Sequence, residues 1–579
     1  MNDRRRFLRN SAFATAALVA STKLPRAAAS APDRKPNIIV FLADDLGYSD
    51  IGCYGSEIET PNIDRLAHNG VQFSSFYNSP RCCPSRASLL TGMYSHQAHM
   101  GMMVDDHKYY GVDYPAYDGD LNKGCVTIAE ALKPAGYRTY HSGKWHLCTQ
   151  QTTEAGADRS NWPCQRGFDH GYSMITGAGS YFTPNTLTWD NEPINNFSED
   201  FYFTDAIGDH SVKMIESGPA DQPFFLYCAF NAPHWPLHAP EAVIAKYRER
   251  YLNGWDKMRE GRHSRQLRSG LLKAEWQITP RDPRVPAWER ASYKKWEAER
   301  MAVYAAQVDI LDKNIGKVLT RLEEMGQIDN TLIFFMSDNG GNYEEFNSQP
   351  MPKGSKRAIW VPAASPDGGE LQYGNDPNVM PGRGNTIQSY GGAWGNVSNT
   401  PFRLYKHFAH EGGISTPLVV HYPRGFHTAS GVKHQVGHEI DIMPTCLAAA
   451  SAVLPGVTKA GTPPLPLEGK SLLPVLRGQT ITNRGMLFWE HEGNCAVRDG
   501  KWKLVSAFPN TWELYDMAAD RTELHNLADA MPERVNSMAR SYLEWAARVG
   551  AQPWPMPQTP PAQRGGSLPF PEYLKHDRQ

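Results

Sequence analysis

The chain has 579 residues, long enough for one large core and a smaller domain. Hydrophobic residues are 41% and charged residues 21%, a balance ordinary for a soluble globular protein and unlike that of a disordered chain. The formal net charge of −2 gives no bulk electrostatic preference for nucleic acid or a membrane surface.

At the N-terminus, Arg4-Arg5-Arg6-Phe7-Leu8-Arg9 precedes a weakly apolar stretch, Ser11 to Ala20, too short for a permanent membrane span. Ala27-Ala28-Ala29 offers a small-residue cleavage site after Ala29. Residues 1–29 resemble a twin-arginine signal peptide. The resemblance implies twin-arginine export machinery as a partner and a periplasmic or secreted destination. That route carries folded proteins, so maturation and metal loading can precede export. No other segment is apolar for long enough to cross a bilayer.

Asn37 to Ala43 is a continuous apolar run that stops at Asp44-Asp45. Pro223 to Phe230 is another, ending at Asn231-Ala232-Pro233-His234, and Thr331 to Met336 ends at Ser337-Asp338-Asn339-Gly340-Gly341. Runs without alternation suit strands covered on both faces. Between them Met301 to Leu322 carries apolar residues at helical spacing. Strands alternating with helices predict an α/β fold, a large mixed, mostly parallel sheet sandwiched by helices. In such sheets ligands bind beyond the carboxyl ends of strands, where these polar clusters gather. Glu241 to Arg300 is charge-rich and reads as surface helices and loops. Tyr343 to Thr400 is dense in Gly, Pro, Asn and Ser and is expected at the rim of a site. Composition shifts near Ser451 to Pro466. The expected division is a catalytic domain over 33–455 and a C-terminal subdomain over 456–579. In the latter, Met486–Trp489, Ala496–Val505 around the Asp499-Gly500 turn, and Trp512–Asp516 predict a small antiparallel sheet, and Glu533–Val549 a helix.

Four oxygen-bearing side chains, Asp44, Asp45, Asp338 and Asn339, come from two strand ends and suit a hard divalent cation. Either pair alone could be a turn or a cap; two in equivalent positions favour metal. Cys82-Cys83-Pro84-Ser85-Arg86 opens a helix, with Pro84 suited to its first turn. Cys82 then sits where free N–H groups and the helix dipole favour an anion, and Arg86 adds a permanent planar charge. Lys144 and His146 follow the strand-like Tyr137–Tyr140; His234 lies between prolines, in Pro233-His234-Trp235-Pro236; Lys406 precedes Glu411-Gly412-Gly413. Each alone is more often structural than catalytic. Nine cysteines without a Cys-x-x-Cys pair argue against a zinc ribbon and specify no disulfide pairing.

Cys-x-Pro-Ser-Arg followed by Leu90-Thr91-Gly92 resembles the signature of the formylglycine-dependent sulfatases. The order and approximate spacing of all these motifs, from Pro36 to Leu527, resemble the bacterial arylsulfatase branch within the alkaline-phosphatase-like superfamily. The resemblance implies a sulfuric ester hydrolase acting on an aryl sulfate or sulfated carbohydrate. It implies that a formylglycine-generating enzyme converts Cys82 to the aldehyde residue. Asp44, Asp45, Asp338 and Asn339 would hold Ca²⁺, with Mg²⁺ an alternative. Arg86, Lys144 and His146 would hold the nucleophile, while His234 and Lys406 would contact sulfate and the leaving oxygen. Asp338 is the implied acceptor of the nucleophile's proton, and His146 the base that releases sulfate. A phosphonate monoester or phosphodiester hydrolase of the same superfamily is the alternative. Two positions depart from the pattern: Cys83, where small residues are common, and Met93, where Arg is frequent. Trp235, residues 343–400 and His491-Glu492-Gly493-Asn494 are expected to shape the substrate pocket.

Overall fold

A computed structural model describes residues 34–106, 113–348, 358–362, 365–366, 368–425 and 430–557. The expected signal peptide lies outside them, as do parts of the 343–400 segment. Among the described residues the strands are β1 (Asn37–Ala43), β2 (Val71–Tyr77), β3 (Arg138–Lys144), β4 (His170–Met174), β5 (Leu187–Trp189), β6 (Glu192–Pro193), β7 (Phe224–Ala229), β8 (Thr331–Ser337), β9 (Gln372–Tyr373), β10 (Thr386–Ile387), β11 (Ser415–His421), β12 (Gly431–Lys433), β13 (Gly437–His438), β14 (Leu487–His491), β15 (Asn494–Asp499), β16 (Trp502–Ser506) and β17 (Glu513–Asp516).

The large sheet runs β12-β2-β11-β8-β1-β7-β3-β4-β5-β6, with β13 also on β2. β8, β1, β7, β3 and β4 are mutually parallel, while β11 runs antiparallel between β8 and β2. The central strands have no polar face, because alternate side chains feed two different cores. Ile39, Phe41 and Ala43 point to one side, with Ile333 and Phe335 from β8 and Leu226 and Cys228 from β7. Ile38, Val40 and Leu42 point to the other, with Phe334, Met336, Phe225 and Tyr227. Helices Phe203–Glu216 and Lys294–Glu324 cover the first face. Helices Cys82–Thr91 and Ile442–Ala450 cover the second. The protein is thus a mixed α/β sandwich, and the sheet's polar strand ends gather at one edge of this three-layer stack.

Residues 241–300 differ from the expected surface segment. The helix Trp255–Arg268 buries Trp255, Arg259, Arg262 and Gln266. A cation is tolerated there because it is paired: Arg262 Nη1 lies 2.5 Å from Asp50 and Nη2 2.8 Å from Glu57. The expected helix at 301–322 begins earlier, at Lys294, and Trp296 packs its first turn inside the protein.

β14 to β17 form a separate four-stranded antiparallel sheet, covered by the amphipathic helix Pro532–Val549 through Met538, Tyr542, Trp545 and Val549. A buried ionic knot locks this sheet to the loop after Lys406. Lys503 Nζ donates to Glu411 Oε1 (2.8 Å) and Glu523 Oε1 (2.7 Å), and Arg521 Nη1 meets Glu411 Oε2 at 2.5 Å. All nine cysteines are free thiols, with Cys228 in the core. Among the described residues no helix is long and apolar enough to cross a membrane.

Candidate active site

β1 and β8 are paired in register, so their carboxyl ends deliver Asp44-Asp45 and Asp338-Asn339 side by side. The Asp338 N–H donates to the Ala43 carbonyl, and the Asp45 N–H to Asp338 Oδ1 at 3.2 Å. Asn339 Nδ2 donates to Asp45 Oδ1 at 2.7 Å. All four side chains are buried. Burial, with neighbouring Asp44, raises the Asp338 pKa to about 7 against the pull of Arg86, and burial raises that of Asp44. Three carboxylates this close repel one another and call for positive charge. Lysines supply part of it. Lys144 Nζ is 2.6 Å from Asp44 Oδ2, and Lys406 Nζ 2.8 Å from Asp45.

Asp44 Oδ1 and Asn339 Oδ1 are buried without a hydrogen-bond partner. Such orphaned oxygens are costly unless a further group satisfies them. They lie in an oxygen-rich cluster, and ligand atoms of Asp44, Asp45 and His234 come within 4.8 Å of one another. This donor set fits a hard divalent cation.

The helix Cys82–Thr91 aims its N-terminus at the same place. Arg81 is the extended residue before it, Pro84 sits in its first turn, and Gly92 ends it in the left-handed region at φ 66°. Every residue of the helix is buried. Arg86, one turn in, donates through Nε (3.0 Å) and Nη2 (2.8 Å) to Asp338 Oδ2 and through Nη1 to the Lys144 carbonyl. The Cys82 Sγ lies 3.7 Å from His146 Nδ1. The Cys83 thiol, then Lys144, Lys406 and His146, hold the Cys82 pKa well below that of an ordinary thiol in spite of burial. An anion at residue 82 is therefore stabilised by its surroundings.

His146 is in the left-handed region at φ 58°, and its buried Nε2 has no partner. Burial keeps its pKa below the ordinary value, so the ring is neutral. Its position depends on Gly177, where a Cβ would fall 2.2 Å from His146 Cε1. His234 follows a cis Ala232-Pro233 bond. With the Trp235 carbonyl 2.7 Å from Nδ1, that nitrogen carries the proton. Nε2 is left facing Lys406 Nζ and Asp45 Oδ2, each at 3.4 Å. Burial lowers the His234 pKa to about 4.

Cys82, Arg86, Lys144, His146, His234, Lys406 and the four oxygen-bearing residues thus share one buried cluster. Sequence reading missed Asn342, whose Nδ2 donates to Asp45 Oδ2 at 2.9 Å; it continues the run that begins at Ser337 and could have been read with it. It also missed Gly177 and the rim pair Arg81–Glu344, 3.0 Å apart. Trp235 is at that rim: its indole N–H donates to Glu344 at 2.6 Å, and Phe346 and Trp360 pack against its ring. A surface groove of about 820 Å³ lined by Arg248, Glu299 and Arg383 contains none of these groups.

The chain is similar to known proteins over most of its length. The profile of the family described as Sulfatase matches residues 36–452, and that described as N-sulphoglucosamine sulphohydrolase, C-terminal, matches 402–544. An uncharacterized sulfatase of Schizosaccharomyces pombe is 32% identical over 547 residues, covering 90% of this chain and 95% of that protein. An arylsulfatase of Klebsiella aerogenes is 32% identical over 471 residues, covering 79% and 95%. The crystal structure of Ps i-CgsB superposes with a TM-score of 0.61 at 24% identity over 90% of this chain and 94% of that one.

Proposed function

We propose, from the premise that this chain belongs to the sulfatase family and hydrolyses sulfate esters, that Cys82 is the precursor of its formylglycine nucleophile. The observation that carries this is the setting of Cys82: a thiol at a buried helix N-terminus, 3.7 Å from His146 and stabilised as an anion by the Cys83 thiol and then by Lys144 and Lys406. In that reading the Sγ stands in for an oxygen of the hydrated aldehyde.

Asp44, Asp45, Asp338 and Asn339 would hold the divalent cation, proposed as Ca²⁺. When bound, it supplies Lewis-acid polarisation of the nucleophile and the sulfate oxygens. The hydrated aldehyde supplies two hydroxyls on one carbon. The remaining work belongs to the chain. Arg86 fixes Asp338 through two hydrogen bonds and so holds its carboxylate in place to take a proton from the nucleophile. Lys144 and Lys406 provide fixed positive charge where the transferring sulfuryl group carries negative charge. Lys406, an ammonium beside the bare Nε2 of neutral His234, protonates the departing oxygen. His146, neutral and with a free ring nitrogen, takes the second hydroxyl's proton as sulfate leaves. The rim of Trp235, Arg81 and Glu344 would receive the alcohol part of the ester, an aryl group or a sugar. Residues 1–29 would direct twin-arginine export to the periplasm or beyond.

The test is mass spectrometry of the peptide containing residue 82, on protein from its native host, beside turnover of 4-nitrophenyl sulfate. Conversion of the thiol to the aldehyde, with turnover abolished in Cys82→Ala, is the expected result. An unmodified thiol in active protein would overturn the reading.

A further inference from the structure

The turn that joins β14 to β15 reaches the residue after Lys406. His491, at the end of β14, is 0% exposed. Neither of its ring nitrogens has a hydrogen-bond partner. The Gly101 backbone is close enough to influence the ring, but outside hydrogen-bond geometry. Glu492 Oε1 lies 3.7 Å from His491 Nε2, and Glu492 Oε2 lies 3.5 Å from His407 Nδ1. The two imidazoles meet edge to face, with centroids 5.3 Å apart. One ligand atom from each of the three residues lies within 4.8 Å of the others.

These separations are poor for direct hydrogen bonds. They match a different object. A tetrahedral ion bound at about 2.0–2.1 Å keeps its ligands roughly 3.3–3.4 Å apart, and each imidazole nitrogen stands within a few tenths of an ångström of that separation from one Glu492 oxygen, Oε1 for His491 and Oε2 for His407. The charges agree. Burial, with Arg81 adding to it, lowers the His407 pKa to about 3, and burial holds that of His491 well below its ordinary value, so both rings are unprotonated as ligands must be. Burial raises the Glu492 pKa to about 7; Arg81 opposes this, and Asp106, Glu490 and Glu344 reinforce it. Arg81 is already engaged by Glu344 at 3.0 Å. His407 also has a left-handed backbone, at φ 86°, as Asp45 and His146 do at 61° and 58°. Such conformations cost energy and cluster at functional sites.

We propose that His407, His491 and Glu492 form a second metal site, filled by Zn²⁺ and separate from the oxygen-rich cation site. Two imidazoles and a carboxylate select a borderline ion such as zinc over calcium or magnesium. The side chains of His407 and Glu492 are partly exposed, so the fourth position opens to solvent at the rim. The ion would pin the turn of the C-terminal sheet to the backbone next to Lys406.

The experiment uses the full mature protein, stripped of metal and reloaded with Ca²⁺, then titrated with Co²⁺ and, separately, Zn²⁺. Visible absorption of tetrahedral Co²⁺, bound metal by atomic emission and melting temperature are read together. One tight equivalent beyond the calcium is expected, with an intense visible band and a rise in melting temperature. His407→Ala and His491→Ala should each weaken it by about 100-fold or more, and Glu492→Gln by about tenfold or more. Circular dichroism checks that each variant is folded, and Glu492→Gln keeps the test open if an alanine variant is not. Absence of a stoichiometric second ion in wild type would overturn the proposal. So would binding that survives His491→Ala and disappears in Asp45→Asn, which would put the ion in the oxygen-rich site.

Discussion

Gly177→Ala adds one methyl group and should disable His146. The new Cβ would lie 2.2 Å from Cε1, 2.4 Å from Nε2 and 2.7 Å from Nδ1 of the ring. Carbon atoms in contact settle at about 3.5–4.0 Å, so the ring or the segment after β4 must move by more than about 1 Å. A displacement of about 1 Å costs on the order of 100-fold in rate when the group is catalytic. That loss corresponds to about 2.7 kcal/mol of transition-state stabilisation. The same crowding should cost about 1–3 kcal/mol of stability, too little to unfold a large domain. Gly177 does not have a positive φ, so alanine brings no backbone strain of its own. The assay is kcat/KM for 4-nitrophenyl sulfate, normalised to aldehyde content at residue 82, with urea unfolding as the control. In a His146→Ala background the same substitution should change kcat/KM by less than about threefold, because its target is gone. Full activity in Gly177→Ala, or an equal loss in both backgrounds, would refute the claim that Gly177 positions His146.

Chelation of the protein should lower its melting temperature, since the Asp44, Asp45 and Asp338 carboxylates then repel at close range; a ligand at about 100 times its Kd contributes about 2.7 kcal/mol. Calorimetry with and without Ca²⁺ checks this, and Asp45→Asn should abolish the response. Lys503→Met leaves Glu411 and Glu523 buried and facing each other. It should destabilise by about 3–5 kcal/mol in urea unfolding, whereas a loss under 1 kcal/mol would mean the knot contributes little. Glu439, fully buried and accepting from the Ser79 N–H and hydroxyl, has its pKa raised to about 8 by burial. The folded state therefore holds a proton that the unfolded chain releases near pH 4.5. The stabilisation is complete below that pH and is lost as pH rises toward about 8. In Glu439→Gln the fall in unfolding free energy between pH 5 and 8 should be smaller; an unchanged slope would place the proton elsewhere.

What the sequence makes legible and what it hides follow from how each feature is encoded. Strands covered on both faces leave unbroken apolar runs, so β1, β7 and β8 are visible in the residues themselves. The polar residues that end them stand out because nothing else in such a run is polar. Asp44-Asp45 and Asp338-Asn339 are therefore readable as pairs, and in-register pairing of β1 with β8 brings them together. Residues 241–300 mislead for the opposite reason. Arg259 and Arg262 look like surface charges until Asp50 and Glu57, some 200 residues away, are seen to neutralise Arg262. Gly177 is equally silent, since a glycine chosen to make room for an imidazole has no local signature.

The left-handed residues carry the same lesson further. Asp45, His146 and His407 have no Gly, Pro or turn pattern that would announce a positive φ, whereas Glu492, with Gly493, forms the two-residue turn between β14 and β15, where both residues take one. For side chains other than glycine that conformation must be held by tertiary contacts. Asp45 is held by Asn339, Asn342 and Lys406, and His146 is confined by Gly177. His407 is held by its N–H, which donates to the Pro80 carbonyl at 2.6 Å, and Glu492 by the paired ends of β14 and β15. The buried His491 ring, by contrast, has no hydrogen-bond partner. An ion bound by His407, His491 and Glu492 would give that ring the partner it lacks.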